Sequence, residues 1–167
     1  MAVKLNSELA AFFETGDQPS ETEFGHLIDS ILPTPVLLAD SAAVTLTKAA
    51  NQGRTNVVPM VSQASTYTIP TPAAAGEYYK FTNAFTAEEA DDIAFSVGTG
   101  NSVFMKGAIA HLDTNADNVS VYSNGSSNEL LTLVDPGAFE VNFLSKSTTE
   151  WYIWGYVVSE DVPTIAD

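Results

Sequence analysis

Three oxygen-bearing side chains in one short stretch could bind a metal ion. Asp113, Asn115 and Asp117 stand at alternate positions, like the first ligands of a calcium-binding loop. The rest of that loop is missing, because Asn118 stands where a glycine should allow the turn and Asn124 where a glutamate should complete the site. A polar turn is therefore the main interpretation, with a weak cation site as the alternative, and we predict no metal and no cofactor.

Residues that could support catalysis are few. His26 and His111 have no neighbours at metal-ligand spacing, and both are predicted to be surface or partly buried. Gly98-Thr-Gly100 precedes a strand and lacks the third glycine of a dinucleotide site. The chain has no cysteine, which excludes disulfides, thiolate zinc sites and cysteine nucleophiles. The 21 acidic residues, including a cluster at 88–92 that we interpret as a solvated loop, select no catalytic pair, so no enzyme is predicted.

Charge and composition restrict the partners. The 167 residues carry a net charge of −15, and no basic patch can form from six scattered basic residues, so neither nucleic acid nor an anionic membrane surface is a predicted partner. Those residues are Lys4, Lys48, Arg54, Lys80, Lys106 and Lys146. Hydrophobic residues make up 45 %, enough for one domain with an appendage. The sequence shows no signal-peptide core and no apolar run of ~20 residues, so synthesis in a cytoplasm is expected.

The first 35 residues predict a short two-helix arm. Apolar residues recur at helical spacing in 4–14, and again after Ser20-Glu-Thr-Glu23, which has the spacing of a capping box; Pro33 ends the second helix. The two apolar stripes consist of Leu5, Leu9, Phe12, Phe13, Phe24, Leu27, Ile28 and Ile31. Either the helices form a hairpin packed on their own domain, or the stripes are a partner interface on another protein or a symmetry mate.

The rest of the chain predicts a β domain at 44–160, joined to the arm by a linker at 36–43 and followed by a tail at 161–167. Ten β-prone segments alternate with turn-forming residues, and the stretch 67–81 is a strand, a Pro/Ala-rich loop and a second strand. The segments are Val44–Thr47, Thr55–Pro59, Thr66–Ile69, Tyr78–Asn83, Asp92–Val97, Val103–Ile109, Asn118–Ser123, Glu129–Val134, Ala138–Leu144 and Trp151–Ser159. No crossover helices lie between them, which favours an antiparallel β-sandwich or jelly roll.

Two segments carry the clearest face patterns. In Ala138–Leu144 the alternation predicts that Phe139, Val141 and Phe143 are buried while Glu140 and Asn142 face solvent.

The last predicted strand, Trp151–Ser159, is apolar or aromatic on both faces, which predicts burial on both. Tyr152, Trp154 and Tyr156 would then lie under loops or the arm, or form an oligomer interface, and we predict a homotrimer.

Two motifs resemble those of phage proteins. Phe13-Glu-Thr-Gly-Asp-Gln-Pro-Ser20, followed by Phe24 and Leu27-Ile-Asp-Ser30, resembles an N-terminal motif of tailed-phage virion proteins. Tyr67-Thr-Ile-Pro-Thr-Pro-Ala-Ala-Ala-Gly-Glu-Tyr-Tyr-Lys-Phe81 is similar to the strand, turn and strand of phage capsid-decoration and fibre-associated β domains. The resemblance implies a virion structural protein, a decoration (cement) protein that binds the major capsid protein on the capsid surface, often as a trimer.

A tail fibre or adaptor domain, which binds another tail protein or a host glycan, is the alternative. Fibres usually carry repetitive shafts or coiled coils, and the absence of heptads and repeats favours decoration. Exposed aromatic platforms would favour glycan binding, and Tyr78, Tyr122 and Tyr152 are candidates for one.

Overall fold

The described part of the protein is mainly β. The computed structural model describes residues 20–31, 33–83, 88–100, 102–113 and 118–167. These residues contain two helices, α1 (Glu21–Ile31) and α2 (Lys48–Asn51). The strands are β1 (Val36–Leu37), β2 (Ala43–Thr45), β3 (Thr55–Val57), β4 (Ser65–Thr68), β5 (Tyr78–Thr82), β6 (Ile93–Ser96), β7 (Phe104–Asp113), β8 (Val119–Tyr122), β9 (Leu130–Leu133), β10 (Ala138–Ser145), β11 (Glu150–Ser159) and β12 (Thr164–Ala166).

The strands form two sheets, and both are mixed. The seven-stranded sheet has the order β1-β3-β5-β10-β11-β7-β8, and the five-stranded sheet has the order β12-β9-β6-β4-β2. Strands β1, β3 and β5 run parallel to one another, as do β2, β4 and β6, and β7 is parallel to β11. The prediction of an antiparallel sandwich was therefore wrong in strand direction, and a jelly roll is not confirmed.

The parallel pairs arise because the chain alternates between sheets. From β1 to β7, each strand lies in the sheet opposite to the strand before it. Parallel neighbours need a crossover connection, which in most proteins is a helix. Here the intervening strand of the other sheet makes that crossover. The absence of helices between the strands therefore did not exclude parallel pairing.

All ten predicted strands are present, and so is the second predicted helix. The largest boundary error is at β7, which continues to Asp113 instead of ending at Ile109. The capping box at the start of α1 is formed, because the Glu23 amide donates to Ser20 Oγ (3.3 Å) and the Ser20 amide donates to Glu23 Oε2 (2.7 Å). The predicted first helix at 4–14 lies outside the described residues.

Three short elements were missed. Strand β1 lies inside the predicted linker and pairs with β3, and β12 lies inside the predicted tail and pairs with β9. Each has only two or three residues, too few to show alternation. The single turn of α2 is capped by Thr47, whose side chain accepts from the Ala50 amide.

Aromatic rings join the two sheets. Phe95 of β6 lies 4.6 Å from Phe81, 6.1 Å from Phe139 and 5.9 Å from Phe143, measured between ring centroids. All four side chains are fully buried, and we call them the ring core. The predicted inward face of β10 is thus confirmed, with Val141 buried beside the two phenylalanines of that strand.

The predicted outward position of Asn142 was wrong. Asn142 is only 3 % exposed, although it points away from the ring core. Its Oδ1 accepts a hydrogen bond from the Tyr78 hydroxyl, and its Nδ2 donates to Glu140 Oε1 (3.2 Å). The rings of Tyr78 and Trp154 approach each other over this strand and exclude water from the amide. Alternation identified the face correctly but could not show that neighbouring strands cover it.

Gly155 allows β11 to lie against β10. Its φ is +153°, and a Cβ built there would lie 1.9 Å from the carbonyl oxygen of Glu140. Backbone atoms cannot move aside as a flexible side chain can. Only glycine therefore fits between Trp154 and Tyr156 on this strand.

The revised burial of Asn142 changes what its substitution should cost. We expect Phe143→Ala to lower the free energy of unfolding by about 3–5 kcal/mol, through lost burial and a residual cavity. Asn142→Ala should cost about 1–3 kcal/mol, because it leaves polar partners unpaired. Denaturant midpoints at fixed protein concentration measure both. A cost for Asn142→Ala below ~0.5 kcal/mol, typical of surface positions, would contradict its burial.

Two alanine substitutions test the close packing of β10 and β11. Gly155→Ala adds a backbone clash to the strain of a positive φ, whereas Gly76→Ala adds the strain alone. Gly76 also has a positive φ (+90°), but a Cβ there meets nothing within 4 Å. We expect about 1–2 kcal/mol of destabilisation at Gly76 and about 3 kcal/mol or more at Gly155. Chemical denaturation measures both, and equal costs would mean that β10 and β11 are not packed this closely.

Candidate binding surface

The stretch interpreted as a polar turn, with a weak cation site as the alternative, lies mostly outside the described residues. Asn115 and Asp117 lie outside the described residues, and the Asp113 amide donates to Asn118 Oδ1 (3.1 Å). Within the described ranges, no group of three or more histidine, aspartate or glutamate side chains could hold a metal ion.

Two polar residues predicted to be accessible are buried. His111 lies within β7, is fully buried, and places Nε2 3.1 Å from the carbonyl oxygen of Ser159. Glu89 belongs to the acidic cluster predicted as a solvated loop, yet it is 5 % exposed. Its carboxylate accepts hydrogen bonds from the amides of Val61 (2.8 Å) and Ala90 (3.0 Å). Both side chains form hydrogen bonds with backbone groups, which gives them a structural role.

The most prominent surface feature is the side of the seven-stranded sheet that points away from the ring core, which we call the outer face. Its central rows come from β5, β7, β8, β10 and β11, whose paired residues share one side of the sheet. The outer-face residues are Tyr78, Lys80, Lys106, Ala108, Ala110, Ser120, Tyr122, Glu140, Asn142, Leu144, Glu150, Tyr152, Trp154 and Tyr156.

Strand β11 is buried on one side only. Trp151, Ile153 and Val157 lie in the core, as the sequence predicts. The three aromatic residues on the other side are exposed by 42 % (Tyr152), 44 % (Trp154) and 39 % (Tyr156). No loop or helix of the described residues roofs them, so the prediction of burial under loops or the arm was wrong for these residues. The alternative, an oligomer interface, stays a prediction.

The outer-face rings are held in place before any ligand binds. Tyr78 and Trp154 are nearly parallel, with ring centroids 6.3 Å apart and an interplanar angle of 26°. Lys146 Nζ lies 5.7 Å from the centroid of the Tyr152 ring. Burial raises the pKa of Tyr78, which keeps its hydroxyl protonated as the donor to Asn142. Three of the outer-face rings, those of Tyr78, Trp154 and Tyr152, are therefore in contact with neighbouring side chains.

Ion pairs lie among the rings. Lys80 Nζ is 2.7 Å from Glu140 Oε2, and Glu150 accepts from Lys106 (2.7 Å) and Lys146 (3.3 Å). The hydrogen bond from Lys80 holds the pKa of Glu140 below its usual value, and the one from Lys106 does the same for Glu150. Three lysines and two glutamates give a local charge of +1, in a chain whose net charge is −15.

The predicted partner stripe is described only in α1. Phe24 is 49 % exposed and Ile28 is 58 % exposed, while Leu27 is half-buried. No strand packs extensively against α1 in the described part of the chain. The remaining predicted interface residues, Leu5, Leu9, Phe12 and Phe13, lie outside the described residues, as does the side chain of Ile31.

Comparison with known proteins identifies no family. No protein-family model matches the chain, and no curated protein matches it. Over the described ranges, no helix has both the length and the apolar character needed to cross a membrane.

Some residues of the outer face were predicted from the sequence. Sequence reasoning proposed Tyr78, Tyr122 and Tyr152 as platform candidates, and all three lie there. It missed Ala108 and Ala110, because nothing in the local sequence shows that β7 pairs with β11. Alternation within β7 places both alanines on one side, which was the available signal.

The two tryptophans provide a test of the outer face. Trp151 is fully buried and Trp154 is 44 % exposed. Acrylamide should therefore quench the fluorescence of Trp154 and leave that of Trp151 unchanged. In Trp154→Phe the remaining fluorescence should resist quenching, and Tyr152→Phe serves as a control that keeps both emitters. Protection of both tryptophans in the unsubstituted protein would show that the outer face is covered, as a homotrimer interface would be.

Proposed function

We propose that this chain is a structural protein of a tailed-phage virion that binds the outside of the capsid and stabilises it. The proposal combines the sequence resemblance of residues 13–30 and 67–81 with the architecture of the chain. The ring core joins the two sheets into a rigid body. We propose that this arrangement belongs to the β-sandwich class. The partner would be the major capsid protein, and the place of action the virion surface.

The observation that carries this proposal is the exposed apolar side of α1. Phe24 and Ile28 lie one helical turn apart and, with Gly25, line a shallow depression. Leaving such side chains in water is unfavourable, since burying one is worth about 1.5–3 kcal/mol. Phe24 and Ile28 are not part of the core, and no described strand packs extensively against α1, so burying these two residues in a capsid groove would leave the ring core unchanged.

Stabilisation of a shell follows from several such attachments acting together. A chain that contacts two capsid subunits must lose contacts before those subunits separate. Self-association into the predicted homotrimer would add avidity, because linked sites bind about 10²–10⁴-fold more tightly than single ones. The trimer remains a proposal, and light scattering at several concentrations measures its molar mass.

Substitutions in α1 test the attachment. We expect Ile28→Ser to weaken binding to capsids that lack this chain by about tenfold or more, since the lost burial exceeds the 1.4 kcal/mol that tenfold requires. Val162→Ser is the matched control, because Val162 is a comparably exposed apolar residue (48 %) that lies between β11 and β12, outside α1. Co-sedimentation with capsids measures occupancy. Thermal unfolding should be unchanged in both variants, since neither residue is in the core.

Two results would contradict the proposal. Ile28→Ser at full occupancy would mean that α1 is not the attachment element. A few copies per particle, found at a tail or a vertex, would favour the fibre or adaptor alternative over decoration. Quantitative protein staining of purified particles gives the copy number.

A further inference from the structure

Strand β7 forms the floor of a groove on the outer face. Ala108 pairs with Trp154 on one side and with Tyr122 on the other. In the next row, Ala110 lies between Tyr156 and Ser120. Two strand spacings separate the walls, which places their backbones roughly 10 Å apart. Alanine side chains end at Cβ, whereas the paired Trp154, Tyr156 and Tyr122 are much larger, so the β7 row is lower than its neighbours, except beside Ser120.

The side chains on both sides of this groove are accessible to solvent. Tyr122 is 71 % exposed and Trp154 is 44 % exposed, with the Trp154 ring centroid 6.3 Å from that of Tyr78. Lys106, paired with Glu150, lies at one end beside Tyr152. The groove therefore offers ring faces along its length and charged hydrogen-bonding groups at its end.

We infer that this groove binds an oligosaccharide. A pyranose ring has an apolar face of C–H groups, which stacks on aromatic rings, and hydroxyl groups around its edge. Trp154, Tyr156 and Tyr122 supply the ring faces. Lys106 and Glu150 are a donor and an acceptor held side by side, which suits a hydroxyl group that both donates and accepts.

The mixture of rings and ion pairs favours a sugar over a protein chain. The buried cores of protein interfaces are depleted in charged residues, because desolvating an ion pair is costly. On the outer face, Lys80 and Glu140 are each about one-third exposed among the rings. A sugar's hydroxyl groups can replace the water around such groups, whereas an apolar protein surface cannot.

Preorganisation and charge support the same ligand class. The Tyr78–Trp154 pair and the contact between Lys146 and Tyr152 hold three of the outer-face rings, so binding would immobilise fewer side chains. The local charge of +1 allows both neutral and acidic sugars to bind at this site. On the rest of the surface, the overall charge of −15 would repel a polyanion.

This site goes beyond capsid binding and does not depend on it. It is incompatible with the predicted oligomer interface at Tyr152, Trp154 and Tyr156, because one ring cannot serve both at once, so a homotrimer would have to form through another surface. The oligomeric state is therefore part of the test.

The fluorescence of Trp154 reports binding directly, with buried Trp151 as an internal reference. The probes are soluble hexasaccharides of glucan, mannan, galactan, chitin and polyuronate backbones, titrated to ~10 mM so that a Kd near 1 mM is measurable. We expect a saturable blue shift with at least one of them. A response to the polyuronate alone would assign an acidic ligand, and a response to a neutral probe a neutral one.

Substitutions locate the site. Ala108→Leu fills the floor and leaves the walls in place, so we expect binding to weaken by about tenfold or more. Ala138→Leu is the matched control, because Ala138 pairs with Val158 outside the groove, and its effect should stay within about twofold. Tyr122→Ala should also weaken binding about tenfold. Tyr122 is highly exposed, so this variant should fold even if Ala108→Leu does not.

Three results would overturn the inference. The first is no shift with any probe, and the second is binding that neither Ala108→Leu nor Tyr122→Ala weakens. The third is an oligomer in which Trp154 resists acrylamide and which Ala108→Leu converts to monomers, because the groove would then hold a second copy. None of these results alters capsid occupancy as measured with Ile28→Ser, so the two proposals fail separately.

Discussion

The packing of Phe95 against Phe81, Phe139 and Phe143 holds the two sheets together, and the rest of the structure depends on it. The centroid distances of 4.6–6.1 Å are those of aromatic pairs in direct contact. These rings come from β5 and β6, consecutive strands in opposite sheets, and from β10, which follows after three further strands. They belong to the buried cluster in which the apolar sides of the two sheets meet.

The alternation of the chain between sheets has a consequence for the surface. Strand β7 ends the alternating series and enters the seven-stranded sheet parallel to β11. That pairing sets small residues of β7 beside the aromatic residues of β11, with Ala108 opposite Trp154. The rings on the inner side close the core, and Tyr152, Trp154 and Tyr156 on the outer side stay exposed. The proposed groove is thus a product of topology as much as of composition.

Local patterns predicted the strands but not their partners. Period-two alternation and turn residues located all ten predicted strands and the buried side of β10, because both depend on neighbouring residues. Strand direction depends on where the chain crosses between sheets, which leaves no local signature. Asn142 shows the same limit, since its burial comes from Tyr78 and Trp154 on the two neighbouring strands. Strands of two or three residues, such as β1, are defined by pairing alone.

The account assigns opposite roles to two parts of the chain: α1 attaches, and the outer face with Trp154 and Tyr122 meets the surroundings. A cryo-electron microscopy map of intact particles that carry this chain tests that arrangement most directly. We expect many copies on the head, with Phe24 and Ile28 against the shell and the alanine-floored groove of β7 open to solvent. A map in which the outer face lies against the shell, or against another copy, while α1 projects into solvent would contradict it.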